Sequence, residues 1–244
     1  MKPMRTLLAA LFLISFAPGS FAQPDPKTMD NYVFTLIWAR TDKRETTKEE
    51  DRKIMAAHMA HIGAMAEQGA LVAAGPANAP MARLRGIFVF RAPMETAKEL
   101  ANADPTVKEG QFQMEFHPWY SYKGIGETYR AEHAANKDAK TRMVAYQLAL
   151  LRRTATFAGA KPEDLKTFTR EHLEGISANH RAGKIVCAGP ITDGGDLAGI
   201  GVFATSLDEA KAILDKDAFV SRGLMKVDWY TWYAADGTFP PVGK

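Results

Sequence analysis

Two histidines stand at matching places in this chain. His58 opens the segment HMAHIGAMAEQGALVAAGP (58–76), and His172, 114 residues on (172 − 58), opens HLEGISANHRAGKIVCAGP (172–190). In each segment the His sits on a helical stretch, a Gly (Gly69, Gly183) stops the helix, a short apolar strand follows, and Gly-Pro closes it. Both imidazoles fall on apolar helix faces. Ile54, His58, His61 and Met65 share one face, and Leu165, Phe168, His172 and Ile176 share the other. Imidazole titrates near neutral pH and can take up and return a proton, so such a residue suits general acid–base work. The plainer alternative is a buried ring bonded to a backbone carbonyl. A second set lies on two strands. Period-two alternation puts Glu115, His117 and Trp119 on one face of the first, and Asp228, Tyr230 and Trp232 on one face of the second. These are the most polar and aromatic groups available to line an interior and bind substrate; the alternative is an amphipathic edge facing water. His58, His61 and His117 could share a metal, but Gly175 and Tyr230 replace two of them in the second segment, so no metal site is expected. No Ser-His-Asp order, P-loop or dinucleotide fingerprint appears, and no cofactor is expected.

The elements that must carry these groups occur twice. Tyr32 to Ala39 is a strand apolar on both faces; a helix from about Glu49, a strand from Leu71 and a strand from Gly86 follow. A short helix from Pro93 and a last strand through Phe116 complete the series. The second half repeats it: strand Met143–Leu151, helix Pro162–His180, strands at 184–188 and 199–204, helix Leu207–Lys216 and strand Leu224–Tyr233. Downstream matches run at an offset of 113 and pair Gly86, Asp104, Trp119 and Tyr120 with Gly199, Asp217, Trp232 and Tyr233 (199 − 86). The order β-α-β-β-α-β is the ferredoxin-like split βαβ, a four-stranded antiparallel sheet with helices on one face. Each such sheet leaves its other face bare. The expected fold class is therefore α+β: two ferredoxin-like domains, duplicated in tandem, packed bare face to bare face as an intramolecular dimeric α+β barrel. The domains run 23–123 and 141–236, joined by a connector at 124–140 and followed by a tail at 237–244. The stretch Ser121 to Lys140 reads as too polar for core.

Composition adds the address. The 244 residues are 46% hydrophobic and 24% charged with a net charge of +3, an ordinary globular balance that gives no argument for nucleic acid. Residues 1–22 read as a signal peptide: Lys2 and Arg5, an apolar run from Leu7 to Phe16, then Ser20-Phe21-Ala22 as a cleavage site. The mature chain is expected in the periplasm or secreted, off the membrane, and monomeric with an internal pseudo-dimer. The single cysteine, Cys187, reads as a small buried hydrophobe.

The ordered set of helix-borne His, helix-ending Gly, strand closing in Ala-Gly-Pro, Gly-initiated strand, short helix and Asp box resembles the YCII-related (YciI-like) domains. These belong to the dimeric α+β barrel superfamily, and the resemblance covers the mature chain twice. It implies a His and Asp pair beside a cleft: His58 with Asp104, and His172 with Asp217, as the catalytic groups. The Asp boxes depart from the family differently. Asp104-Pro105-Thr106 lacks the aromatic, and Asp217-Ala218-Phe219 lacks the Pro. Asp104 before Pro105 is also where a helix N-cap belongs, and one oxygen can cap while the other faces the cleft. The first half is the better candidate, since Asp104 keeps the Pro that fixes the turn, and Glu115 and His117 are expected to add further titratable groups nearby.

Two functional readings follow. In one, the protein binds a small aromatic or apolar molecule in a barrel cleft without turnover. In the other, it is a His/Asp acid–base enzyme of lyase or isomerase type.

Overall fold

The order of strands is what places the candidate residues. A computed structural model describes residues 26–79, 82–136 and 140–242; the expected signal peptide lies outside them. The first half forms β1 (Met29–Ala39), α1 (Lys48–Glu67), β2 (Leu71–Asn78), β3 (Leu84–Phe90), α2 (Met94–Asn102), the single turn α3 (Pro105–Lys108) and β4 (Phe112–Tyr122). After α4 (Glu127–Ala135) come β5 (Met143–Arg153), α5 (Pro162–Arg181), β6 (Ile185–Pro190), β7 (Leu197–Phe203), α6 (Leu207–Leu214) and β8 (Met225–Ala235).

Local sequence explains the long helices. Thr47 and Glu50 form a reciprocal capping box at the start of α1, with Glu49 and Asp51 also in its first turn. Pro162 starts α5 at a position where its missing N–H is no loss. Gly69 (φ +76°) and Gly183 (φ +73°) follow the two helices in the left-handed conformation that turns the chain back.

The strands form one eight-stranded sheet in the order β4-β1-β3-β2-β8-β5-β7-β6. The two four-stranded halves are thus joined edge to edge, as well as facing one another across the core. The join is β2 to β8, where Ala77 pairs with Trp232. The outer edges meet at the corresponding place, through a bridge between Trp119 and Ile191 and a bond from the Thr192 amide to the Pro118 carbonyl (3.0 Å). The barrel is nearly closed, and closure relieves both halves of exposed strand edges. The Gly of each Ala-Gly-Pro sits at these seams. A Cβ on Gly75 would lie 1.8 Å from the Tyr233 carbonyl oxygen, and one on Gly189 would lie 1.9 Å from that of Tyr120. Only glycine permits this backbone approach.

Alternation along the strands separates two surfaces. Val33, Ile37, Phe88 and Phe90 pack with Met65, Ala97 and Ala101 under the helices. Tyr32, Phe34, Leu36, Trp119, Tyr146, Leu148, Leu150 and Trp232 form part of the other core cluster. Phe34 meets Trp119 and Trp232 edge-on, at 5.2 and 6.0 Å between centroids, a favourable aromatic geometry. Segments expected to be peripheral stopper one end of the barrel. Ile125 of the connector is buried, and Phe239 of the tail packs edge-on against Tyr146 (4.9 Å) and Trp232 (5.5 Å). The expectation that 121–140 is too polar for core is corrected at Ser121, Tyr122 and Ile125, all buried. A few apolar side chains in a polar segment suffice to plug a barrel end. Cys187 is buried, with Sγ 3.0 Å from Ser121 Oγ; burial pushes its thiol up to about 12, so it is no nucleophile.

Candidate functional site

The helix-facing surface carries the two His–Asp pairs. α1 lays His58 over β3, with its ring stacked on Phe88 (6.1 Å, 22°). The turn before α3 brings in Asp104. His58 Nδ1 is 2.7 Å from Asp104 Oδ2, and Asp104 is fully buried. The other oxygen, Oδ1, accepts from the Thr106 amide (2.8 Å) and hydroxyl (2.5 Å). One carboxylate therefore caps the turn and holds the imidazole at once. In the second half His172 Nδ1 is 2.5 Å from Asp217 Oδ2. Asp217 Oδ1 accepts from the amides of Phe219 (3.0 Å) and Val220 (3.4 Å). The turn closes without the Pro because these two amides replace the Thr106 contacts.

Burial alone would raise both aspartates, but it is outweighed. The hydrogen bond from His58 and those from Thr106 hold Asp104 below the ordinary carboxylate value. His172, with the amides of Phe219 and Val220, does the same for Asp217. An ionised carboxylate can only accept, so Nδ1 of each His carries a proton, and in the neutral ring Nε2 is the nitrogen that keeps a lone pair. Among the described residues neither Nε2 has a hydrogen-bond partner. His58 and His172 expose 11% and 23% of their side chains, so the second ring is the more open to solvent.

Sequence reasoning passed over Thr35. It pairs with Phe88 on the helix-facing surface of β1, is fully buried, and its hydroxyl has no partner among the described residues. Ala149 holds the corresponding place in β5. A lone Thr in an apolar strand was the available signal.

Glu115 and His117 lie on the opposite face of the sheet, and so do not add titratable groups beside His58 as expected. β4 pairs with β1 so that Glu115 faces Leu36 and His117 faces Phe34, at the barrel mouth away from Phe239. Trp38 Nε1 donates to Glu115 Oε2 (2.7 Å), and His117 Nε2 is 2.9 Å from Glu115 Oε1. His117 Nδ1 is 2.8 Å from Asp193 Oδ2. Both ring nitrogens face carboxylates, so both donate and the ring is a cation. Burial opposes this, but bonding to Glu115 and Asp193 raises His117 above its ordinary value. From the second half, Asp228 accepts from Arg152 Nε (2.8 Å), and Tyr230 meets Trp38 edge-on at 6.4 Å. Trp119 and Trp232, expected to line the ligand space, are 1% and 0% exposed and belong to the packed core. His61 bonds the Leu100 carbonyl (2.8 Å). His58, His61 and His117 do not converge, and no group of three or more metal-ligating side chains occurs among the described residues.

The fold and these pairs define an α+β barrel protein with a His–Asp pair under the long helix of each half. In comparison with known families, residues 33–119 are similar to the YCII-related domain, a span that holds His58, Asp104, Glu115 and His117. Among solved structures, a mutant chlorite dismutase from Candidatus Nitrospira defluvii is 12% identical with a TM-score of 0.56, over 87% of this chain and 96% of that one. Chlorite dismutase from the same organism in complex with imidazole is 11% identical with a TM-score of 0.53, over 86% and 92%. At such identities the likeness is one of fold. No curated protein matches the chain.

Proposed function

We propose that this is an exported small-molecule protein that performs acid–base chemistry on its ligand, of lyase or isomerase type, and that His58 Nε2 is the working atom. The observation that carries the reading is the His58–Asp104 pair. A buried, ionised carboxylate anchored by Thr106 fixes the tautomer and leaves one unshared lone pair on the imidazole, the arrangement a general base needs. Thr35, with a buried hydroxyl lacking a partner, favours the first half over the second, where Ala149 offers none. The leader-like segment 1–22 supports export. The two halves act as tandem domains, the second keeping a pair of the same kind.

A competing reading, binding without turnover, rests on the apolar packing around both rings. A small-molecule library read by thermal shift on the mature protein finds ligands first, since one at 100 times its Kd adds about 2.7 kcal/mol. Turnover of the hits is then followed in wild type and His58→Ala. Loss of turnover with little change in affinity is expected. Hits that wild type never converts, and that His58→Ala binds more weakly, would leave only the binding reading.

A further inference from the structure

The barrel mouth holds a recess of about 310 Å³ lined by Trp38, Ala82, Arg83, Gln113, Glu115 and Tyr230. That is at the small end of ligand sites and suits a single-ring molecule. It lies across the sheet from His58, so it is separate from the acid–base site proposed above.

The chemistry of the lining is selective. Glu115, the acidic group there, has both oxygens engaged, by Trp38 and by the His117 cation. It is neither free to take up a ligand cation nor an unscreened repulsion for an anion. The Arg83 and Gln113 side chains and the Tyr230 hydroxyl have no hydrogen-bond partner among the described residues. Trp38 and Tyr230 supply two half-buried aromatic walls.

The pseudo-symmetric place in the second half shows what is missing. There Arg152 stands for Trp38 and Asp228 for Glu115 at the same ladder positions, and Asp196 stands for Arg83, since their carbonyls accept from the matching amides of Arg153 and Ala39. Arg152 bonds both acids, at 2.8 Å to Asp228 and 3.1 Å to Asp196. That copy is satisfied from within. In the first half Glu115 keeps the place of Asp228, the Trp38 indole takes the place of the cation Arg152, and the cation sits instead on the β2–β3 side, as Arg83. Arg83 is also held in position, because its carbonyl accepts from the Ala39 amide (2.8 Å).

We propose that this recess is a second binding site, which takes a small aromatic carboxylate with its ring against Trp38 and Tyr230 and its anion on Arg83 and Gln113. The carboxylate supplies the partner that the Arg83 guanidinium lacks among the described residues, and guanidinium recognises it as a planar, two-oxygen group.

The test uses the full mature protein with benzoate as probe, followed by tryptophan fluorescence and by the Trp38 indole N–H resonance, assigned with Trp38→Phe. Benzylamine and cyclohexanecarboxylate serve as controls. Benzoate should saturate with a Kd of about 1 mM, as expected for an open, shallow site. Both controls should bind at least about tenfold more weakly. Arg83→Gln, an exposed position that should not disturb folding, should weaken benzoate by about tenfold. His58→Ala should leave it unchanged, which separates this site from the acid–base site. No saturation by about 20 mM benzoate, benzylamine binding as well as benzoate, or an unaffected Arg83→Gln overturns the proposal.

Discussion

His117 is the residue whose charge state follows most directly from geometry. Two carboxylates bracket it, and both can only accept, so the folded state binds a proton there more tightly than the unfolded chain does. A raised His value stabilises the fold fully below the unfolded value of about 6.5, and that contribution is lost as pH rises through the folded value. Glu115, Asp193, Asp104 and Asp217 are shifted the other way. Their contribution is present above about pH 4 and lost as pH falls below it. Stability should therefore peak at mildly acidic pH and decline as pH rises above about 6.5. That onset lies below the range where Cys187 and Tyr32, both pushed up to about 12 by burial, begin to titrate in the unfolded chain. Thermal melts across this range check it: His117→Gln should flatten the decline, and an equal decline in the variant would refute the assignment. His58 calls for a different measurement. Its ring nitrogens are distinguishable by their 15N shifts, and wild type should show the proton on Nδ1. Asp104→Asn should allow the other tautomer; a wild-type ring already protonated on Nε2 alone would remove the basis for a general base there.

At the scale of elements, the Ala-Gly-Pro strand ends matter more than their composition suggests. Gly75 and Gly189 let β2 and β6 approach the backbones of β8 and β4 more closely than any side chain allows. Alanine at either place must push the seam apart, so Gly75→Ala and Gly189→Ala should each destabilise by at least about 2 kcal/mol. Gly175→Ala, where an added Cβ meets nothing within 4 Å, should not destabilise. Urea melts of the three variants decide it. Equal stabilities would mean that the seam relaxes without cost.

For the whole molecule, the barrel should close within one chain. Each half contributes Phe34 and Trp119, or Leu148 and Trp232, to a shared interior, and each offers a strand edge that the other half covers. The mature protein should be monomeric at low micromolar concentration by light scattering. The fragment 23–123 should dimerise or aggregate, because its inner face and edges are bare. A well-behaved monomeric fragment would show that the halves do not need each other.

The sequence by itself determined the element order, because hydrophobic period, caps and stop glycines act locally: Thr47 with Glu50, Pro162, Gly69 and Gly183 mark the long helices. It also set the same order of elements in both halves, and the helical spacing put His58 and His172 on the apolar faces of their helices. Face assignment was legible too, since alternation alone sets Glu115 and His117 apart from Phe116. Only the tertiary structure decided which of these surfaces meet. His58 and Glu115 belong to the same half yet lie on opposite sides of the sheet, because one is carried by a helix and the other by the far face of a strand. Trp119 and Trp232 alternate in step with Glu115 and Asp228 but go to the core, since depth along a barrel strand is fixed by closure rather than by period. The partners of His117 show the same limit. Asp193 lies 76 residues away in the β6–β7 turn, and no local pattern could have paired them before the seam formed.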